Sequence, residues 1–213
     1  MKDAIDQYLE GLLPERSELF QQLEQFAKEN KVPIMEPMGI ETLLQLLRIQ
    51  GPKRILEIGT AIGYSALRMV DAIDDVHVVT LEMDVTRAKQ AEDNIVQAGM
   101  ANRITIIKGN ALELFGEVKD LGPFDAIFID AAKGQYTRFF EIYEPLLTNN
   151  GCIYSDNVLF KGLVALEPTG ENKRLENIAK KIRGYNQWLM NNQSYRTVII
   201  PTGDGLAISR KIK

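Results

Sequence analysis

The apolar positions of the chain keep one period over its first quarter and another after it. Between residues 3 and 50 they recur at helical spacing, as Leu19, Leu23 and Phe26 and again as Ile40, Leu43, Leu44 and Leu47, with Pro33 and Pro37 punctuating the segments. From residue 54 short β-rich runs take over, at 54–58, 76–82, 103–108, 125–130 and 151–156, with helical patterns at 63–73, 84–99, 110–117 and 135–147 between them. Runs such as VHVV and AIFI are apolar at nearly every position, as strands covered on both faces are, and strands alternating with helices pair in parallel. A long helix near 171–192 places Leu175, Ile178, Ile182 and Leu189 on one side. Two last strands, at 196–200 and 206–211, are joined by PTGDG, a connection too short for a parallel crossover. The pattern predicts an α/β fold: a doubly wound, mostly parallel seven-stranded sheet with one antiparallel strand, layered between helices, with extra helices at the N-terminus.

Composition agrees with this picture. Of 213 residues 45% are apolar and 25% charged, ordinary proportions for a globular chain that can form one domain over 1–213, a helical extension over 1–50 and an α/β core over 54–213. No run of about 18 apolar residues is present, so no membrane span is expected. The first ten residues, MKDAIDQYLE, hold three acids and no apolar stretch, so no secretory signal is expected either. The single cysteine, Cys152, fits a reducing cytoplasm and, near the start of a buried strand, a small core hydrophobe. His77, the only histidine, lies inside a predicted strand and reads as structural.

Ligands of doubly wound sheets sit beyond the carboxyl ends of the strands. The first strand runs into ILEIGTAIGYSALRM, where a nicotinamide-binding turn would read G-x-G-x-x-G; Ala61 and Tyr64 stand at its second and third glycine positions. Glu57, two residues before Gly59, would repel a diphosphate and attract an ammonium. Glu82 ends the second strand, 23 residues after Gly59, where an acid can accept from both ribose hydroxyls. The third strand leads into GNALE, where Asn110 and Ala111 can meet an adenine. In this order the three features point to S-adenosylmethionine, although an acid after a strand also serves as a plain helix cap.

The fourth and fifth strands end in FIDAAKGQY and IYSDNV, bringing Asp130, Asp156 and Asn157 to one rim. Two carboxylates and an amide oxygen are a hard, incomplete ligand set that suits Mg²⁺; the alternative is that they cap the helices that follow. Lys133, three residues after Asp130, leans over the same rim, either as a proton acceptor among like charges or as a solvated loop residue.

With these motifs in order, from Pro37 to Arg210, the chain resembles the magnesium-dependent O-methyltransferases of the catechol and caffeoyl-CoA type, a Rossmann-like methyltransferase fold. The resemblance rests on EIGTAIGYSALRM, the strand ending in Glu82, GNA, DAAKGQY, SDNV and the late GDG turn. It implies metal ligation by Asp130, Asp156 and Asn157, catalysis by Lys133, and cofactor contacts from Met38, Glu57, Gly59, Ser65, Glu82, Asn110, Ala111 and Asp130. In one respect the chain departs from the family. Small-molecule members carry aromatic gates around the metal, the catechol enzyme a Trp beside its metal aspartate, whereas Asp130 is followed here by Ala131 and Ala132 and the only tryptophan is Trp188. Within the family the chain is most similar to bacterial tRNA 5-hydroxyuridine methyltransferases.

Charge bears on the substrate. Residues 1–160 hold 15 Lys and Arg against 25 Asp and Glu, a net −10, whereas residues 161–213 hold 10 against 4, a net +6. Lys161, Lys173, Arg174, Lys180, Lys181 and Arg183 follow closely on SDNV and could hold the phosphates of a tRNA anticodon loop; alternatively they form a solvated helix face. 5-Hydroxyuridine, with its hydroxyl beside the C4 carbonyl, offers a metal the oxygen pair it needs. Against RNA stands the overall charge of −4, which keeps small catechol-like or caffeoyl-CoA-like phenols as the alternative. A nicotinamide oxidoreductase and a non-catalytic binding module are the other classes; the missing glycines speak against the first and the intact acids and lysine against the second. The apolar Leu9, Leu12, Leu13, Leu19 and Phe20 exceed what one side of the sheet needs, so a homodimer is expected.

Overall fold

The computed structural model describes residues 2–212. Three helices, α1 (Lys2–Glu10), α2 (Glu18–Glu29) and α3 (Pro37–Gln50), precede the sheet. The strands are β1 (Arg54–Ile58), β2 (His77–Glu82), β3 (Ile104–Lys108), β4 (Phe124–Ile129), β5 (Leu147–Ser155), β6 (Tyr195–Ile200) and β7 (Leu206–Lys211). Between them run α4 (Tyr64–Ala72), α5 (Val85–Gln97), α6 (Phe115–Val118), α7 (Tyr136–Tyr143) and α8 (Lys173–Asn191). The sheet order is β3-β2-β1-β4-β5-β7-β6, with β1 to β5 parallel and β7 antiparallel to both neighbours. The chain winds outward from β1 to β3, returns, and winds the other way through β4 and β5, so the β1–β4 seam is the switch point where a crevice opens. The seven-stranded α/β fold expected from the hydrophobic pattern is the one observed.

The strands are apolar throughout because each alternates between two cores. Ile55, Val78, Ala126, Phe128, Cys152 and Tyr154 face the core shared with α2, α3 and α4. Leu56, Val79, Ile127, Ile129 and Ile153 face the one shared with α7 and α8. Cys152 is therefore core, as expected, and His77 is half-buried with its Nε2 bonded to the Thr105 hydroxyl at 2.9 Å. Across the first core Arg68 of α4 joins Glu41 of α3 and Tyr64, whose hydroxyl donates to Glu24 of α2 at 2.6 Å. Removing one partner of a buried pair of this kind costs about 3–5 kcal/mol, so the N-terminal helices are fastened to the helix that follows the glycine turn.

Four details differ from the sequence expectation. Helix over 110–117 is confined to Phe115–Val118, because Gly109 and the Asn110-capped turn occupy the first residues. The pattern at 135–147 stops at Tyr143, where Pro145 turns the chain into a 3-10 segment. β5 starts at Leu147, four residues early, with a register shift against β4. Leu175 is 40% exposed rather than on the apolar side of α8, whose buried stripe is Ala179, Ile182, Tyr185 and Leu189. Among the described residues no helix is long and apolar enough to cross a membrane.

Candidate active site

A cavity of about 570 Å³ opens at the carboxyl ends of β1, β2 and β4. Gly59, Ser65, Glu82, Asn110, Ala111, Asp130, Lys133 and Asn157 all line it. Gly59 has φ +105°, and a Cβ there would stand 2.1 Å from the Asp130 carbonyl oxygen, so only glycine lets the ends of β1 and β4 come this close. Glu82 accepts from the backbone N–H of Ala61 and of Asp84, each at 2.8 Å, which pins its carboxylate to the cavity wall. Asn110 caps its own turn: its Oδ1 accepts from Leu112 N–H at 3.1 Å and its amide donates to Glu113.

Three of the expected residues are not among those that line the cavity. Glu57 is fully buried, with its carboxylate accepting from the Ser65 and Thr80 hydroxyls, and burial pushes its pKa up to about 7. It meets the cavity through Ser65 and, by way of Thr80, through the Thr60 hydroxyl. Met38 turns its carbonyl to the hydroxyls of Thr42 and Thr202, and the lip above the cavity is made by Pro33, Ile34 and Met35. Asp156 is buried beneath Asn157, whose amide donates to it at 2.8 Å.

The rim beside the cavity concentrates charge. Burial raises the carboxyls of both Asp130 and Asp156 above the usual range, each with Asp204 adding to the rise and Lys133 opposing it. Asn157, held in the left-handed region at φ 57°, accepts at Oδ1 from the Lys133 ammonium. A buried acid raised by its half-buried neighbour, an amide oxygen next to them and one ammonium bridging toward them form an arrangement short of positive charge, into which a hard divalent cation fits. Among the described residues no three His, Cys, Asp or Glu side chains gather as a ligand set, so any such set here is two carboxylates completed by the amide.

Spacing arguments missed several neighbours. The Tyr136 hydroxyl is buried without a hydrogen-bond partner and feels the charges of Asp130 and Asp156. Asp204 lies close enough to both acids to raise them. Both residues stand in stretches already singled out, DAAKGQY and the GDG turn, but nothing in their spacing assigns them a place. Of the basic residues after SDNV, Lys181 brings its ammonium over the turn behind Lys133, where a Cβ on Gly134 would lie 3.2 Å from it. Lys161 and Lys180 are exposed, whereas Arg183 is occupied in bonding the Val164 and Leu166 carbonyls at 2.9 Å.

A family model described as O-methyltransferase matches residues 12–212. The chain belongs to the O-methyltransferase family. Catechol O-methyltransferase of Niastella koreensis is 33% identical over 174 residues, 79% of each chain. A Staphylococcus aureus crystal structure described as that of a candidate caffeoyl-CoA O-methyltransferase superposes with TM-score 0.88 at 40% identity, covering 99% of this chain and 98% of that one. An O-methyltransferase from Bacillus cereus, solved in complex with S-adenosylhomocysteine, gives TM-score 0.84 at 26% identity over 98% and 97%. The expectation of an S-adenosylmethionine-dependent O-methyltransferase of the catechol and caffeoyl-CoA type therefore holds, and the oxidoreductase alternative falls with it.

Proposed function

We propose that this O-methyltransferase acts on a hydroxyl with a second oxygen beside it, at a Mg²⁺ site formed by Asp130, Asp156 and Asn157, and that its acceptor is 5-hydroxyuridine in the anticodon loop of tRNA. The observation that carries the reaction is the meeting of the two raised carboxylates, the Asn157 oxygen and the Lys133 ammonium on one edge of a cavity of cofactor size. In that cavity Glu82 would hold the ribose, the 109–111 turn the adenine, and Ser65, braced by Glu57, the amino-acid end. S-adenosylmethionine would supply the methyl group, and Mg²⁺ held by Asp130, Asp156 and Asn157 would supply Lewis acidity toward the acceptor hydroxyl. The chain's own residues do the rest. Asp130 lines the cavity and also faces Asp156, so it stands where the two half-sites meet. Lys133 either takes the hydroxyl proton or balances the charge left on the oxygen. Holding both reactants in line is worth several kcal/mol of barrier.

Two observations favour an RNA acceptor. Ala131 and Ala132 follow Asp130, so neither position next in the chain offers an aromatic ring to clamp a flat free phenol. Lys181 overhangs the Lys133 turn, with Lys161 and Lys180 exposed nearby in the chain, a distribution suited to phosphates of a single-stranded loop and to a cytoplasmic substrate. The catechol and caffeoyl-CoA relatives favour the second reading, a small phenol. Incubating the enzyme with labelled cofactor, Mg²⁺ and either hydroxylated tRNA or a catechol panel separates them. Label is expected in tRNA, weakened by added salt and by Lys180→Glu with Lys181→Glu. Turnover of catechols with none on tRNA, or charge reversals without effect, would sink the RNA reading.

The same proposal includes a homodimer. Ile5, Tyr8 and Leu12 at the N-terminus are 52%, 66% and 62% exposed, an apolar face that the described residues leave uncovered. Sedimentation is expected to give about twice the 24.0 kDa chain mass at micromolar concentration, and Tyr8→Glu with Leu12→Glu to give the single mass. A parent sedimenting as one chain would count against the dimer.

A further inference from the structure

The loop that carries Asn157 cannot hold its shape by itself. Asn157, Phe160 and Lys161 are non-glycine residues in the left-handed region, at φ 57°, 45° and 54°, and such conformations persist only where surroundings impose them. What imposes them is the turn between β6 and β7. The Asp204 carboxylate accepts the Lys161 N–H, its carbonyl accepts Leu159 N–H at 2.9 Å, and the Gly205 carbonyl accepts Val158 N–H at 3.1 Å. The approach is so close that a Cβ on Gly205 would lie 2.4 Å from Leu159 Cγ and 2.8 Å from its nitrogen. The other side of the turn is bound to α3. The Thr202 hydroxyl donates to the Met38 carbonyl at 3.2 Å and lies 3.1 Å from the Thr42 hydroxyl, and Gly203 packs on Gly39.

We infer that the 201–205 turn is a strap that fixes the Asn157 loop in its ligand-presenting shape by tying it to α3, and that Asp204 is the positioning residue within it. The inference rests on the proposed role of Asp156 and Asn157 toward a divalent cation. Asp204 acts here through the Lys161 amide rather than by touching the cation. A hydrogen-bond role and a pure charge role separate on substitution, because Asn keeps a side-chain oxygen that can accept from Lys161 while removing the charge, and Ala removes both. The anchor on α3 also makes a remote prediction: Thr202 touches none of the loop's amides, yet losing its hydroxyl should loosen them.

Two measurements on the full chain test this. Titration calorimetry with MgCl₂, in saturating S-adenosylhomocysteine, is expected to show affinity lowered about tenfold in Asp204→Ala and largely restored in Asp204→Asn. Hydrogen exchange without metal is expected to show faster exchange at Val158, Leu159 and Lys161 in Asp204→Ala, and at the same amides to a smaller extent in Thr202→Val, while β1 and β4 stay protected. Asn as poor as Ala in the titration would overturn positioning in favour of charge. Unchanged exchange at 158–161 in Asp204→Ala would overturn the strap, and unchanged exchange there in Thr202→Val would overturn its anchor. A parent that binds no Mg²⁺ while the exchange changes appear would instead remove the proposed metal role and leave the strap standing.

Discussion

Asp156→Ala is expected to lower kcat/KM for methyl transfer by about a thousandfold, some 4 kcal/mol of transition-state stabilisation, in line with the several kcal/mol a catalytic metal supplies. S-adenosylhomocysteine should bind within about twofold of the parent, because Asp156 is buried outside the cavity lining and adjoins it only at Asp130 and Asn157. The substitution removes one of two acids and also frees the Asn157 amide that donates to it, so the metal set loses a ligand and the orientation of another. Calorimetry with S-adenosylhomocysteine beside a labelled-methyl assay reads both quantities on one preparation. Equal loss of cofactor affinity and turnover would show that the two half-sites are not separate as argued.

The reverse pattern is expected of Glu82→Ala. Its carboxylate holds the Ala61 and Asp84 amides and faces the cavity, so alanine removes the ribose acceptor and releases the turn after β1. Hydrogen bonds to a charged group are worth about 1.5–3 kcal/mol, so S-adenosylhomocysteine affinity should fall about tenfold to a hundredfold. The Mg²⁺ affinity of the chain should move little, since Glu82 and the Asp130–Asp156 rim sit at the ends of different strands. Glu82→Gln, which keeps one acceptor oxygen, should fall between the two. An unchanged Kd in Glu82→Ala would place the ribose elsewhere.

Much of the fold was legible because burial on both faces writes itself into each strand as an unbroken apolar run. The seven strands, the reversed β7 and the helices after β1, β2 and β4 follow from that and from turn chemistry. The two misplaced helix boundaries share one cause. At 110–114 local bonds delay a helix, and at 144–146 a proline stops one, where periodicity alone would extend both. Part of the wall was legible too: Gly59, Glu82, Asn110 and Asp130 stand at or just past strand ends, and the topology of a doubly wound sheet sends strand ends to one side.

The sequence by itself determined the seven strands, the reversed one among them and the family, since these depend on the period of apolar residues and on motifs whose order the chain fixes. Tertiary structure decided depth and contact. Glu57 could be read as a cavity carboxylate until the Ser65 and Thr80 hydroxyls closed over it. Met38 and Met35 stand three residues apart on the start of α3 and its approach, and only the packing of these elements puts Met35 on the cavity lip and leaves Met38 off it. Asp204 lies nearly fifty residues from Asp156 along the chain, yet the hairpin of β6 and β7 returns it to the loop that needs its oxygen. Periodicity reports which side of an element is buried. It carries no record of which distant donor meets which acceptor, because that depends on how whole elements pack.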